Sequence, residues 1–277
     1  MTEKGSPLKK IAGYAAMLVV LAVVMVPLYW VLVTSFKEPG QVYTSPPEWT
    51  ADPFTTSAYG RVLTNLPFAE YFRNSLVITG FLATIKIVLG VLSAYAFVFL
   101  RFPGRGVLFM LVLAALMVPN QITVISNYAL VAQLGWVNTF QGIILPLAGV
   151  AFGTFLMRNH FLTLPFEIIE AARMDGCGHL KLLWRVILPM SWPTLVAFAL
   201  ITIVNEWNEY LWPFLVASDE KVAPLQVGLS RLVSTDGFID WPMVMGATVL
   251  TITPILVVFL FLQRYMIKGL TSGAVKG

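Results

Sequence analysis

The chain has 277 residues, of which 58% are hydrophobic and 12% charged, and its formal net charge is +4. A soluble domain carries about 25% charged residues, so this composition excludes an ordinary soluble fold, and a charge this small and dispersed excludes a basic nucleic-acid-binding stripe. The single cysteine, Cys177, excludes an intrachain disulfide, and the two histidines, His160 and His179, belong to no Cys/His cluster of metal-ligand spacing.

Lys9 and Lys10 precede an apolar run that reaches Phe36. The run is too long for a signal-peptide core and no small-x-small cleavage site closes it, so 11–36 is expected to be a retained first span. Residues 37–73 form a long connection rich in proline and aromatics (Pro39, Pro46, Pro47, Trp49, Pro53, Phe54, Tyr59), expected either to cap a helix bundle or to offer a docking surface. A second span covers 74–100 and is interrupted by one charge, Lys86. From Gly106 to Met157 there is no charge at all. At about 1.5 Å per residue that stretch makes two crossings. Its polar break, Gln133 to Gln141 with Gly135 and Asn138, separates spans 107–132 and 139–160. The fifth span is 190–217 and the sixth 241–265. Only helices satisfy their backbone groups in lipid at these lengths. The expected fold is all-α: a polytopic membrane protein with six transmembrane helices in a single domain, 1–277.

Lysine and arginine in the connections set the orientation. Lys4, Lys9, Lys10, Arg101, Arg105, Arg158, Arg173, Lys181, Arg185, Arg264, Lys268 and Lys276 lie on one side, against Lys37, Arg61, Arg73, Lys221 and Arg231 on the other. Twelve against five places both termini in the cytosol.

The cytosolic connection 161–189 carries the charged segment Glu170-Ala171-Ala172-Arg173-Met174-Asp175-Gly176, followed nine residues later by Val186-Ile187-Leu188-Pro189. Pro165 suits a helix start, and Glu167 and Glu170 favour its positive end. Ile168, Ala171, Ala172 and Asp175 follow helical spacing, which puts two small alanines on one face. Gly176 and Gly178 end the helix in a sharp turn, and a second short helix, about His179 to Val186, ends at Pro189. The bland alternative is a surface helix packed on its own bundle.

Glu-Ala-Ala, three residues, Gly, nine residues, then Ile-x-Leu-Pro resembles the coupling loop of importer permeases of the ATP-binding-cassette class, with Val186 where that pattern prefers Ile. Asn74-Ser75, Ala94-Tyr95-Ala96, Arg101-Phe102-Pro103-Gly104, Trp207-Asn208, Leu211-Trp212-Pro213 and the ending Gly269–Gly277 extend the resemblance to the shorter permease subunit of the carbohydrate-uptake branch. Phe99–Gly104, Met117–Gly135, Asn205–Phe214 and Lys86 are most similar to importers of sn-glycerol-3-phosphate and glycerophosphodiesters such as glycerophosphocholine, in their actinobacterial form.

The resemblance implies a type I importer permease fold in a bacterial inner membrane, forming half of a heterodimeric pore. It further implies a second permease subunit, two cytosolic ATPase subunits that bind ATP and magnesium, and an extracytoplasmic substrate-binding protein or lipoprotein. Glu167, Glu170, Ala171, Ala172, Arg173, Asp175 and Gly176 would couple to the ATPase, with Glu170 making a charge-assisted contact. In agreement, the chain has no Gly-x-x-x-x-Gly-Lys-Ser/Thr loop, so it is not expected to bind nucleotide by that route or to be an enzyme.

Charges inside a membrane are costly and by default suggest function. Lys86 lies mid-span, as does Glu206, with Glu209 one turn further out. Two readings stay open at this point: a structural Lys–Glu pair, or a polar substrate path to which Asn120, Gln121, Asn127, Asn205, Asn208 and Tyr210 contribute. A di- or oligosaccharide permease is the alternative within the family. A secondary transporter would need paired broken-helix repeats, a membrane hydrolase a nucleophile with a nearby base, and a passive channel a filter loop; none of these patterns is present.

Overall fold

A computed structural model describes the backbone of residues 7–233 and 239–272, and within 10–264 their side chains except that of Asn120. Lys4, Lys9, Asp236, Tyr265, Lys268, Lys276 and the last five residues of the Gly269–Gly277 resemblance therefore lie, wholly or as side chains, outside the described residues. In chain order the helices are α1 (Pro7–Thr34), a 3-10 turn (Pro39–Tyr43), α2 (Ser57–Asn65), α3 (Phe68–Phe99), α4 (Arg105–Leu116), α5 (Asn120–Gln133), α6 (Phe140–Leu147) and α7 (Ala151–Phe161). Next come α8 (Phe166–Met174), α9 (His179–Leu182), a π turn (Leu183–Ile187), α10 (Leu188–Met190), α11 (Trp192–Trp207), α12 (Leu211–Val216), α13 (Leu225–Val233) and α14 (Trp241–Ser272).

The expected spans are all present as helix, but only the first, second and sixth are single helices long and apolar enough to cross a membrane. The third is broken after Leu116, where Pro119 caps the start of α5 and cannot continue the α4 ladder. The fourth bends by 43° between α6, which contains Pro146, and α7. The fifth stops at Trp207 and restarts at Leu211. Ahead of it, the cytosolic stretch His179–Met190 meets the α11 direction at 84°, so the second loop helix continues past Val186 and through Pro189.

The described residues up to Phe68, with Gly228–Thr253, form one compact unit. Residues 10–29 of α1 are exposed along their whole length, an apolar cylinder suited to lipid or a partner helix. The outer connection of this unit is cross-linked rather than loose. Lys37 is fully buried; its ammonium donates to the Glu48 carbonyl and lies 4.7 Å from the centroid of the Trp30 ring. Burial pushes its pKa below the usual lysine value, and the Glu48 carboxylate partly offsets this. Trp30 meets Trp49 edge-on at 5.3 Å, Phe36 stacks on Phe54 at 4.6 Å, and Tyr43 donates to the Ile239 carbonyl at 2.7 Å. Arg61 forks onto Asp240 at 2.8 and 3.2 Å, and Asp240 in turn accepts the Met243 N–H at 3.0 Å near the start of α14. Val62, Met243 and Ala247 are buried beneath.

Ala69–Val227 and the described residues from Pro254 onward form the second unit. Its centre is a close crossing of α3, α7 and α11. Gly90 and Gly153 face each other, and a Cβ built on Gly153 would lie 2.3 Å from the Phe198 ring. Ser93 and Thr154 share a hydroxyl hydrogen bond of 2.6 Å beside the contact. Lipid tails are as apolar as leucine, so helices in a membrane associate through close backbone approach and such hydrogen bonds rather than through water exclusion.

Gly153→Val should therefore destabilise the purified protein by roughly 1–3 kcal/mol, the usual cost of overpacking. Gly80→Ala, at a helical position with nothing within 4 Å, should leave the melting temperature unchanged. Thermal unfolding in detergent compares the two.

Candidate functional site

Two sets of candidate residues lie in the second unit, one on the loop 161–189 and one inside the spans. The loop helix α8 follows Pro165 at its N-cap and carries Glu167 in its first turn and Arg173 in its last, matching both ends of the helix dipole. Its end is a double-bonded turn. The Gly176 N–H reaches the Arg173 carbonyl and the Cys177 N–H the Ala172 carbonyl, each at 3.0 Å, with Gly176 at φ 76. That left-handed position is why glycine stands there.

Ile169 is almost fully buried beneath α8, in a core formed with Tyr95, Phe99, Met157, Phe161, Leu182, Leu183, Ile187 and Phe198. Arg173 donates to the Phe99 carbonyl at 3.4 Å, and Tyr95 hydrogen-bonds His179 Nδ1 at 2.8 Å. The loop is thus bolted to α3, α7 and the 179–190 stretch. Glu167, Ile168, Glu170, Ala171, Asp175 and Gly176 remain exposed, and Met174 is 89% exposed. The two alanines do not share a face as the spacing led one to expect. Ala171 points outward while Ala172 packs on the core, since adjacent helical residues are turned by about 100°.

Inside the spans, α3 and α11 bring Lys86 and Glu206 together. Lys86 Nζ donates to Glu206 Oε1 at 2.5 Å, with the side chains 18% and 9% exposed. Glu209, one turn further out as expected, accepts the Trp212 N–H at 3.3 Å, close to the start of α12. Asn208 bonds back to the Val204 carbonyl at 2.8 Å, and Asn127 reaches Thr123 of its own helix at 3.4 Å. Gln121, Asn205 and Tyr210 are exposed, and Tyr210 sits beside Phe214. The side chain of Asn120 is outside the described residues. The polar residues of the expected path thus comprise an ion pair, groups that bond within their own helix or at a helix start, and exposed groups.

Sequence reasoning quoted Asn74-Ser75 only as part of a pattern. The structure gives both a task. Asn74 Nδ2 donates to the Lys221 and Ala223 carbonyls at 3.0 Å each, and Ser75 accepts the Leu225 N–H at 2.8 Å. Together they fasten the outer end of α3 to the segment leading into α13. A polar pair at the head of an apolar span was the available signal.

Residues 86–272 match the family model described as binding-protein-dependent transport system inner membrane component. The sn-glycerol-3-phosphate transport system permease protein UgpE of Yersinia pestis bv. Antiqua (strain Antiqua) is 34% identical over 256 residues, 90% of this chain and 91% of that protein. The protein of the same name from Brucella abortus (strain 2308) is 31% identical over 274 residues, 96% of this chain and 97% of that protein. Among solved structures, a bacterial ABC transporter involved in import of the acidic polysaccharide alginate has a chain 26% identical, with a TM-score of 0.83, covering 95% of this chain and 99% of that one. The chain belongs to the binding-protein-dependent transport inner membrane component family. It is a permease subunit of an ATP-binding-cassette importer, a multi-pass inner-membrane pore component rather than an enzyme.

If the ion pair holds α3 to α11, Lys86→Met and Glu206→Gln should each destabilise, by about 1–3 kcal/mol, because each leaves a mostly buried partner unsatisfied. The double variant should recover more than half of the summed loss, whereas independent sites would simply add. Thermal unfolding of the four proteins closes the cycle.

Proposed function

We propose that this subunit forms half of a heterodimeric pore that imports glycerol-3-phosphate or glycerophosphodiesters such as glycerophosphocholine. A second permease subunit would complete the pore. Two cytosolic ATPase subunits would bind ATP and magnesium, and an extracytoplasmic binding protein or lipoprotein would deliver the substrate. The observation that carries the coupling half of this reading is α8: an exposed acidic helix fixed to the spans by a buried core, Arg173 and His179. A helix held this way transmits a push instead of absorbing it. Glu170 would meet a basic group of the ATPase, Glu167, Ala171 and Asp175 would line the contact, and Gly176 would hold the turn. Ala172 and Arg173 would act on the permease side. Exposed Tyr43, Trp49 and Phe54 of the outer connection are suited to contact with the binding protein.

The substrate half rests on relatives named for glycerol-3-phosphate transport that align with nine-tenths of the chain. Lys86 is a cation at span depth that suits a phosphate oxyanion. Its pairing with Glu206 favours, as a second reading, a di- or oligosaccharide, for which no net positive site is needed.

Calorimetric titration of the cognate binding protein with glycerophosphocholine, glycerol-3-phosphate and a disaccharide separates these; binding of the disaccharide alone would overturn the phosphate reading. In reconstituted vesicles, Glu170→Ala should lower uptake by roughly tenfold or more, the value of a hydrogen bond to a charged group, while ATP hydrolysis persists. Uptake at the wild-type rate would remove Glu170 from the coupling.

A further inference from the structure

Among the described residues, Arg105 and Arg158 are two of several arginines of the second unit with no carboxylate partner. Arg158, in the last turn of α7, lays its guanidinium 3.9 Å from the centroid of the Phe109 ring on α4. Its Nε is buried with no hydrogen-bond partner. Phe109 lies four residues after Arg105, so Arg105 sits one turn away on the same face of α4. The two positive charges act on each other unfavourably. Arg105 is exposed and spends one donor on the Leu100 carbonyl at 3.4 Å. Among the described residues, neither arginine is ion-paired to a carboxylate. Two guanidiniums at a membrane boundary therefore present several unused donors to the same space.

The surroundings describe what would fill it. Arg105 opens α4 and Arg158 closes α7, both at the end of their span that the charge count places in the cytosol. Exposed Arg101 lies in the turn just before α4. Phe97 contacts both Phe102 and Phe109, at 6.0 and 5.5 Å, and Leu108, Met110 and Leu111 next to them on α4 are exposed and apolar. The neighbourhood thus offers a basic head with an apolar surface running away from it along the span.

We infer that Arg105 and Arg158 together hold the phosphate of an anionic phospholipid of the cytosolic leaflet, where α4 packs on α7. A phosphodiester supplies acceptors that match the planar forks, and its charge relieves the repulsion between them. Basic sites between spans on the cytosolic side are the expected place for such headgroups. The lipid would brace the root of the coupling helix, because α7 runs through residues 162–165 directly into α8.

The test uses the detergent-purified protein with the partner chains that co-purify. Native mass spectrometry counts retained phosphatidylglycerol and phosphatidylcholine for wild type, Arg105→Gln, Arg158→Gln and Arg158→Lys. Wild type should retain phosphatidylglycerol in preference to phosphatidylcholine, and either Gln variant should hold it roughly tenfold more weakly. Arg158→Lys, which keeps the charge and loses the fork, should fall between. Arg105 is exposed, so its variant reads the site without disturbing the packing. Equal retention by variants and wild type, or equal binding of phosphatidylcholine, overturns the inference. Displacement of the lipid by excess inorganic phosphate would show a small-anion site instead. Loss of the partner chains from Arg105→Gln, with lipid retained, would assign the arginines to a protein contact.

Discussion

Lipid offers no hydrogen bonds, so every interruption of a membrane helix must be repaired by the protein itself. The second unit shows how helix ends are satisfied in this way. Where α11 stops, the Glu209 carboxylate takes the Trp212 N–H at the start of α12. Where α6 begins, Thr139 accepts the Gly142 N–H at 3.2 Å and donates to the Trp136 carbonyl at 2.7 Å. Trp212 Nε1 then reaches across to the Gly142 carbonyl at 3.1 Å, and Asn138, at φ 61, both donates to the Val216 carbonyl and accepts the Asp219 N–H at 2.9 Å. The ends of α5, α6, α11 and α12 are therefore one hydrogen-bonded seam. Asn74 and Ser75 extend the same logic to the segment before α13. Of the polar residues that look like a substrate path in the sequence, Glu209 is one of these repairs.

The cytosolic end of the unit solves a different problem. Under the coupling proposed above, the loop must not yield before the spans do. Van der Waals contact alone would let α8 slide, because apolar surfaces have no directional preference. The two polar ties, Arg173 to the Phe99 carbonyl and Tyr95 to His179, fix direction as well as distance. Beneath them the buried core is continuous from Ile169 through Phe161 and Met157 to Phe198, which fills the space left by Gly153. α8 is thereby tied to α3, α7 and α11 together.

Much of this was legible in the sequence, and the limits have physical causes. Apolar runs gave the number and positions of the spans, because hydropathy reports how much of a segment lipid will accept. Hydropathy is blind to direction, so the break at Asn208–Tyr210 did not register as an end; Pro119 and Pro146 are the marks of the other two bends. The Glu-Ala-Ala segment and its Gly176 turn were readable because local rules of capping govern them. Which of Ala171 and Ala172 faces outward was not, since that depends on where Ile169 finds its core. The partner of Lys86 lies 120 residues away on another helix, and no local pattern distinguishes Glu206 from Glu209 as its mate.

That pairing constrains how a charged substrate would pass. An isolated ammonium at span depth would attract a phosphate strongly and release it slowly. Partnered by Glu206, Lys86 offers little net charge at rest. A phosphate approaching it competes with a carboxylate that is already desolvated and already at hydrogen-bond distance. Displacing Glu206 would also leave a mostly buried carboxylate without its partner, a cost that any anion binding at Lys86 must offset.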